Sequence, residues 1–346
     1  MQFAPWGKNF MHRRHFVCGV ATSVGLITFA GAGLALDTTF GDFSADKSGL
    51  PPEAPALEAP PISKKGGYDE ILGTVDADRM YDDVGHLQTF ETRLTGTPGN
   101  NAAGDWIDSQ FQTHGHAAGK GVKQTFKMPD GSETSNRLYY PFADASSYIL
   151  ICAHYDATSE KPSDSTPGAD DNATGVAVLL EISRVLAGVK LQKGLILACF
   201  SGEEQGLVGS QVCAGIAAKE RWPIDLLVNL DMVGFANAKP ANIVVEYDHG
   251  NRVPENDHAA AGYGAILGSV AQTVGGLSAK YTDIWNSDYM PFEAKGYACV
   301  GLYDDGAEEP FYHSTRDTSD NVNKEKLASV ARSVLAMILE VGVLTT

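Results

Sequence analysis

The sequence predicts an α/β fold, a three-layer sandwich in which helices cover both faces of a mixed, mostly parallel central sheet. Apolar runs alternate along the chain with longer amphipathic segments, which is the pattern of strands alternating with helices. The apolar runs are continuous rather than alternating with polar residues, as is typical of strands covered on both faces. With 346 residues the chain is long enough for a large core in one or two domains.

The individual elements follow from this alternation. Five apolar runs are predicted strands: residues 147–153, 194–200, 225–230, 242–247 and 297–303. Five amphipathic segments are predicted helices: residues 99–114, 172–187, 208–219, 259–274 and 323–344. The last of these has apolar residues at helical spacing, namely Leu327, Val330, Val334, Ile338 and Val341.

Residues 1–35 resemble a twin-arginine export signal. Arg13 and Arg14 precede an uncharged run over residues 16–35, which ends in small residues that suit a signal peptidase. An uncleaved membrane anchor is the alternative, because a run of 20 residues could just span a bilayer. Its many Gly and Ala residues would make a weak anchor. We therefore expect an exported protein, periplasmic or secreted, with an N-terminal anchor only if the signal stays uncleaved.

Residues 36–67 are predicted to be a linker, because the stretch 48–67 is rich in proline and cannot build regular structure. Residues 68–346 are predicted to form one folded domain. The formal charge of the chain is −17, which makes nucleic acid or an anionic membrane surface an unsuitable partner. We expect no nucleic-acid partner, no membrane contact beyond the export signal, and a monomer.

Polar residues follow three of the predicted strands at the point where each strand ends. His154 and Asp156 follow the first strand, Glu203 and Glu204 follow the second, and Asp231 follows the third. Because the carboxyl ends of parallel strands meet along one edge of a sheet, these side chains are expected to converge there.

Two further segments supply residues of the same kinds. The segment PGADDNATG contains Asp170 and Asp171 just before a predicted helix, and the late loop PFYHSTRDT contains His313. Each residue alone has an ordinary structural explanation, such as a helix cap or a solvated turn. Together, imidazoles and carboxylates at one sheet edge are the ligands that zinc prefers.

Five motifs, AHYD, PGADDNATG, GEEQGLVGS, NLDMVG and YHSTRDT, stand in an order and spacing that resemble those of the M28 (aminopeptidase Y) zinc exopeptidases. Small members of that family include secreted bacterial leucyl-type aminopeptidases. The similarity runs from about residue 83 to the C-terminus. It implies that residues 68–346 form a zinc exopeptidase (phosphorylase/hydrolase-like) domain.

The resemblance implies a ligand set for two Zn²⁺ ions per chain. His154 and Asp231 would bind one ion, and Glu204 and His313 would bind the other. Asp170 would bridge the two ions, and the peptide bond between Asp170 and the next residue would be cis.

The resemblance also implies the remaining roles. Glu203 would be the general base, and Asp156 would fix the tautomer of the His154 ring. Consecutive side chains leave the backbone in different directions, so Glu204 can face a metal while Glu203 faces the reacting water. The implied activity is that of an exported aminopeptidase acting on peptides with a free N-terminus.

Three alternatives stay open. An M28 carboxypeptidase or dipeptidase would use the same metals with a different clamp for the end group, and Arg316 could serve as that clamp. A glutaminyl cyclase would share the fold but hold a single zinc ion. A non-catalytic binding domain would be expected to have lost Glu203 or some ligands. The donor to the oxyanion is also open, with Tyr281 and Tyr289 as candidates.

Overall fold

The computed structural model describes residues 52–64, 67–116, 119–142, 145–236, 242–304 and 310–342. The predicted export signal and residues 36–51 of the predicted linker lie outside the described residues. Within the described ranges, no helix is both long and apolar enough to cross a membrane.

The described residues contain eight strands that form one sheet. They are β1 (Lys120–Lys127), β2 (Glu133–Phe142), β3 (Tyr148–His154), β4 (Gly194–Phe200), β5 (Ile224–Asp231), β6 (Asn242–Tyr247), β7 (Ser278–Asp283) and β8 (Cys299–Tyr303). Their order across the sheet is β1-β2-β4-β3-β5-β8-β6-β7. Strands β4, β3, β5 and β8 pair in parallel, as do β6 and β7. The other pairs are antiparallel, so the sheet is mixed.

Helices cover both faces of this sheet. They are α1 (Tyr68–Leu72), α2 (Ala77–Leu87), α3 (Pro98–Thr113), α4 (Thr174–Val185), α5 (Val208–Glu220), α6 (Asp257–Thr273), α7 (Met290–Glu293) and α8 (Lys324–Gly342). Helices α1, α2, α3, α4, α6 and α8 pack together over one face, while α5 and α7 contact each other and cover the other. The predicted three-layer fold class is therefore confirmed.

The central strands bury both faces, as their continuous apolar sequence predicts. All seven residues of β3 and all seven residues of β4 are buried. The odd-numbered residues of β3, such as Ile149 and Ile151, belong to the main core cluster with the large helical layer. His154, on the opposite side of the pleat, ends the strand at the edge where the candidate site lies.

The ten predicted elements correspond to β3, β4, β5, β6 and β8 and to α3, α4, α5, α6 and α8, with no end shifted by more than two residues. Strands β1, β2 and β7 were not predicted because they lack apolar runs. Strand β1 is an exposed edge strand, and β7 is only partly buried. Strand β2 is buried but carries polar residues, among them Asn136 and Arg137.

Residues 52–64, here called the proline strap, lie against the folded domain, although the sequence assigned them to the linker. Three strap carbonyls accept hydrogen bonds from the domain. The pairs are Asp283 N to Pro52 O (2.9 Å), Tyr247 Oη to Pro55 O (2.9 Å) and Ser269 Oγ to Pro60 O (2.7 Å). Leu57 and Ile62 pack on the main core cluster. The folded body therefore includes the strap.

Candidate metal centre

The side chains of the candidate site come from the ends of parallel strands and from two loops. His154 is the last residue of β3 and Asp231 the last of β5, while Glu203 and Glu204 follow β4. An irregular turn, Ala169–Ala173, leads into α4 and adds a further carboxylate. The loop between β8 and α8 adds His313. The sheet thus delivers these groups to one edge, as the sequence predicts.

Asp171 lies between the two histidines. Its Oδ1 is 3.2 Å from His154 Nε2, and its Oδ2 is 3.2 Å from His313 Nε2. Each histidine also faces a second carboxylate: Asp231 Oδ1 lies 3.2 Å from His154 Nε2, and Glu204 Oε2 lies 3.0 Å from His313 Nε2. The site therefore consists of two three-residue groups that share Asp171, and within each group the ligand atoms lie within 4.8 Å of one another.

The structure brings Asp171 into this centre and not Asp170, which corrects the predicted bridging ligand by one residue. Asp170 is buried, but its Oδ1 accepts hydrogen bonds from Gly234 N (2.8 Å) and Thr174 Oγ1 (3.3 Å). It therefore ties the turn to the segment after β5. The cis peptide bond, predicted between Asp170 and Asp171, lies between Asp171 and Asn172.

Asp317 holds the turn that presents Asp171. Its Oδ1 accepts a hydrogen bond from Asp170 N (2.9 Å), and its Oδ2 accepts one from Asp171 N (3.0 Å). Asp317 lies four residues after His313, so the loop with the second histidine is joined to the turn with the shared carboxylate. Sequence reasoning did not assign Asp317 a role, although it lies within the motif YHSTRDT.

Asp156 holds the other turn, that of Glu203 and Glu204. Its carboxylate is fully buried and accepts hydrogen bonds from Glu203 N (3.3 Å), Glu204 N (3.2 Å) and Thr95 Oγ1 (3.0 Å). His154 Nδ1 lies 3.1 Å from the Asp156 backbone oxygen and 3.8 Å from its Oδ1. Asp156 is thus beside the imidazole, as predicted, but the nearer acceptor is its backbone carbonyl. A proton on Nδ1 leaves Nε2 as the nitrogen that faces Asp171.

The two remaining carboxylates have different surroundings. Glu203 is 4% exposed and forms a third compact group with His154 and Glu204. Asp231 Oδ2 accepts a hydrogen bond from Ser287 Oγ (2.6 Å), which accepts one in turn from Asn229 Nδ2 (2.8 Å). This chain of hydrogen bonds fixes the orientation of the Asp231 carboxylate through Oδ2, the oxygen that does not face His154.

Residues 140–338, more than half of the chain, match the family model described as peptidase family M28. The chain belongs to peptidase family M28. The predicted family is therefore confirmed.

Two relatives of this M28 chain illustrate the extent of the similarity. Aminopeptidase YwaD of Bacillus subtilis is 31% identical over 199 residues, which cover 56% of this chain and 40% of that protein. A probable zinc metalloprotease of Pyrenophora tritici-repentis is 31% identical over 195 residues, which cover 49% and 44%. The chain thus spans less than half the length of these relatives.

Solved structures share the fold of the M28 chain at low sequence identity. LapB from Legionella pneumophila has a TM-score of 0.72 at 22% identity, covering 82% of this chain and 76% of that one. BSAP, a zinc aminopeptidase from Bacillus subtilis, has a TM-score of 0.64 at 17% identity, covering 77% and 95%. A glutaminyl cyclase from Fimbriiglobus ruber has a TM-score of 0.66 at 21% identity, covering 77% and 95%.

The electrostatics of the M28 centre are dominated by its buried carboxylates. Burial lowers the pKa of His154, but Asp231 and Asp171 outweigh it and place that pKa well above its ordinary value. Burial likewise lowers the pKa of His313, and hydrogen bonds to Asp171 and Glu204 overcome this and raise it to about 10. Burial and the charge of Asp171 raise the pKa of Glu204. Without a metal ion, protons on the two histidines therefore offset part of the carboxylate charge.

The residues present fit divalent zinc. Two imidazole nitrogens face carboxylate oxygens, a combination that requires either a proton or a metal ion between them. Within the described part of the chain, Glu204 Oε1 is buried without a hydrogen-bond partner, which a ligand contact would satisfy. A divalent cation can therefore replace the histidine protons.

The two tyrosines that the sequence offers as oxyanion donors, Tyr281 and Tyr289, lie outside the centre. Tyr289 Oη donates to Glu246 Oε1 (2.8 Å) and accepts from Trp285 N (2.8 Å), and Tyr281 Oη lies against Gly268 of α6. Neither tyrosine belongs to the centre. Another tyrosine does adjoin it, since the ring of Tyr312 stacks on that of His313 at 3.7 Å.

Arg316, the candidate carboxylate clamp, is engaged within its own loop. Its guanidinium carbon lies 5.0 Å from the centre of the Phe311 ring, and its Nη2 donates to Pro310 O (3.2 Å). These contacts give the side chain a local packing role.

The assignment of Asp171, rather than Asp170, as the shared carboxylate can be tested with matched variants. Asp171→Asn should weaken binding of added Zn²⁺ by at least 10-fold, because it removes the carboxylate shared by both histidines. Asp170→Asn should keep most of the affinity, because its amide oxygen can still accept the hydrogen bond from Gly234 N. Competition with a chromophoric chelator measures both constants. Equal losses in the two variants, or a larger loss in Asp170→Asn, would contradict the assignment.

The stability of the metal-free protein should depend on the charge of His313. The folded-state pKa of about 10 exceeds the ordinary 6.5, so the stabilisation is complete below pH 6.5 and is lost as pH rises through 10. Urea unfolding of chelator-treated protein at about pH 6, 8 and 10 should show a steeper loss for wild type than for His313→Asn. Asn suits the position because φ there is 50°. Parallel pH profiles would contradict the raised pKa.

Proposed function

We propose that this M28 chain is a metallo-aminopeptidase that binds two zinc ions and removes N-terminal residues from peptides. The observation that carries the proposal is the position of Asp171, which offers one carboxylate oxygen to each of two histidines. Each histidine has its own second carboxylate, so the centre has a ligand set for two cations with one ligand in common. Similar proteins are named as a zinc aminopeptidase and a probable zinc metalloprotease, which supports zinc as the metal.

The residues divide into ligands and a base. His154 and Asp231 would hold one ion, Glu204 and His313 the other, and Asp171 would be shared. When bound, zinc lowers the pKa of a water molecule and polarises the carbonyl group of a peptide.

Glu203 is the proposed general base. It lies with His154 and Glu204 in one compact group, and its backbone amide is held by Asp156. Its carboxylate would take a proton from the attacking water as the new carbon–oxygen bond forms. The same group would return that proton to the amine as the carbon–nitrogen bond breaks.

Glutaminyl cyclase is a second candidate, because a solved structure of that enzyme shares the fold with a TM-score of 0.66. The two chemistries differ in what they need from the centre. Hydrolysis requires an attacking water and a base to activate it, whereas cyclisation uses the substrate's own amine. The paired ligand groups around Asp171 favour hydrolysis over cyclisation at a single ion.

We also propose that the protein is exported as a monomer and acts on peptides outside the cytoplasm. The support for export is the sequence of residues 1–35, with Arg13 and Arg14 before an uncharged run. The mass of the chain recovered from periplasmic or culture fractions should correspond to removal of about the first 35 residues. A full-length mass in those fractions would indicate an anchor, and recovery from the cytoplasm alone would contradict export.

A substrate panel tests the activity directly. Aminoacyl-p-nitroanilides should be hydrolysed, hydrolysis should stop after chelation, and added Zn²⁺ should restore it, with two zinc ions per chain by elemental analysis. N-blocked peptides with a free C-terminus are the matched controls and should stay intact. Release of their C-terminal residue would identify a carboxypeptidase, and cyclisation of N-terminal glutamine would identify a cyclase.

Glu203→Gln separates the base from the ligands. This variant should keep its zinc but lose roughly 10²- to 10⁴-fold in kcat, the usual contribution of a general base. Glu204→Gln, one residue away, is the control and should lose zinc affinity instead. Wild-type turnover in Glu203→Gln would remove this residue from the reaction.

A further inference from the structure

Arg93 is a buried arginine close to the metal centre. It is 1% exposed, and its guanidinium donates hydrogen bonds to four backbone carbonyls. They are Tyr155 O from Nε (2.9 Å), Leu87 O and Pro167 O from Nη1 (3.0 and 2.6 Å), and Gly168 O from Nη2 (2.7 Å). Four well-oriented donors on one planar group fix the relative positions of three separate chain segments.

Two of those carbonyls, Pro167 and Gly168, come directly before the turn that presents Asp171. Gly168 has φ 51°, and a Cβ atom there would lie 2.8 Å from Arg93 Nη2 and 2.5 Å from the Ala157 Cβ. The backbone therefore passes directly over the guanidinium. On the other side of the turn, Asp317 binds two backbone amides. A buried cation thus holds the carbonyls of this segment, and a buried anion holds its amides.

The charge of Arg93 acts against metal binding rather than for it. Burial lowers its pKa to about 10, and the attraction of Asp317, Asp156 and Asp171 opposes that shift, so it stays charged at neutral pH. A positive charge near the centre repels a divalent cation. Any contribution of Arg93 to metal binding must therefore come from the backbone geometry that it fixes.

We propose that Arg93 is a positioning residue for the metal centre, holding the Pro167–Gly168 backbone so that Asp171 offers one oxygen to each histidine. The inference rests on the proposed function in so far as the centre binds zinc. It does not depend on which bond the enzyme cleaves.

Arg93→Lys tests the geometry while keeping the charge. A lysine ammonium has three donors, so at least one of the four carbonyls loses its partner. The affinity for Zn²⁺ should fall about 10- to 100-fold, as is typical when support of a metal ligand is removed. The Co²⁺-substituted variant should also show a changed visible absorption spectrum, which reports ligand geometry.

Arg137→Lys is the matched control. Arg137 is also 1% exposed, but it binds the carboxylates of Asp105 (3.0 Å) and Asp108 (2.6 Å) on α3. This variant should lose thermal stability yet keep the zinc affinity and the Co²⁺ spectrum of wild type. Unchanged affinity and spectrum in folded Arg93→Lys, or an equal loss in Arg137→Lys, would overturn the inference.

Hydrogen exchange covers the case in which Arg93→Lys does not fold. In metal-free wild type, the amide of Ala173, which donates to the Gly168 carbonyl (3.1 Å) that Arg93 also binds, should exchange slowly, because Arg93 holds that carbonyl without the metal. Exchange as fast as that of an open loop would overturn the inference. If wild type binds two zinc ions but cleaves no peptide, the proposed function fails while the zinc measurements on Arg93→Lys still decide this one. If wild type binds no zinc, both fail.

Discussion

Negative charge buried at one edge of the sheet is the constraint on which the rest of this structure depends. Asp156, Asp171 and Glu203 are each at most 5% exposed, and Glu204 and Asp231 adjoin them. Like charges in a medium of low dielectric constant repel strongly and need cations close by. Within the described chain, the nearby cationic groups are two histidines and one arginine. The carboxylates outnumber them, so additional positive charge at this edge would stabilise the folded state. A divalent ion carries twice the charge of a proton, so zinc bound there would supply more of that charge.

Two buried carboxylates hold these repelling groups in place, each by binding two consecutive backbone amides. Asp156 binds the consecutive backbone amides of Glu203 and Glu204, and Asp317 binds those of Asp170 and Asp171. In each case a buried carboxylate that is not a proposed ligand fixes the turn that carries one. Hydrogen bonds from amides to a carboxylate are charge-assisted, which makes them suitable for holding a turn that carries buried charge. The ligands are thus positioned by backbone contacts as well as by the strands.

The sequence predicts those parts of the fold and site whose physical cause is local. Strands β3 and β4 were predictable because burial on both faces requires continuous apolar residues. Strand β2 was not, because it carries buried Asn136 and Arg137, which bind partners distant in sequence, such as Asp108. In the candidate metal centre, His154 and its neighbours were predictable because they follow the ends of predicted strands. The choice between Asp170 and Asp171 depends on the backbone path of one turn, which two identical adjacent residues do not encode.

The proline strap limits how far the N-terminus can be shortened. Besides its hydrogen bonds to the domain, Glu53 forms an antiparallel bridge with Thr282 of β7, the last strand of the sheet. The strap thus shields an edge that would otherwise present unpaired backbone groups. A chain that begins at Tyr68 would leave β7 open and uncover the surface of α6 near Gly264, where Leu57 now packs. Such a chain would tend to aggregate through that edge, even with its candidate metal centre intact.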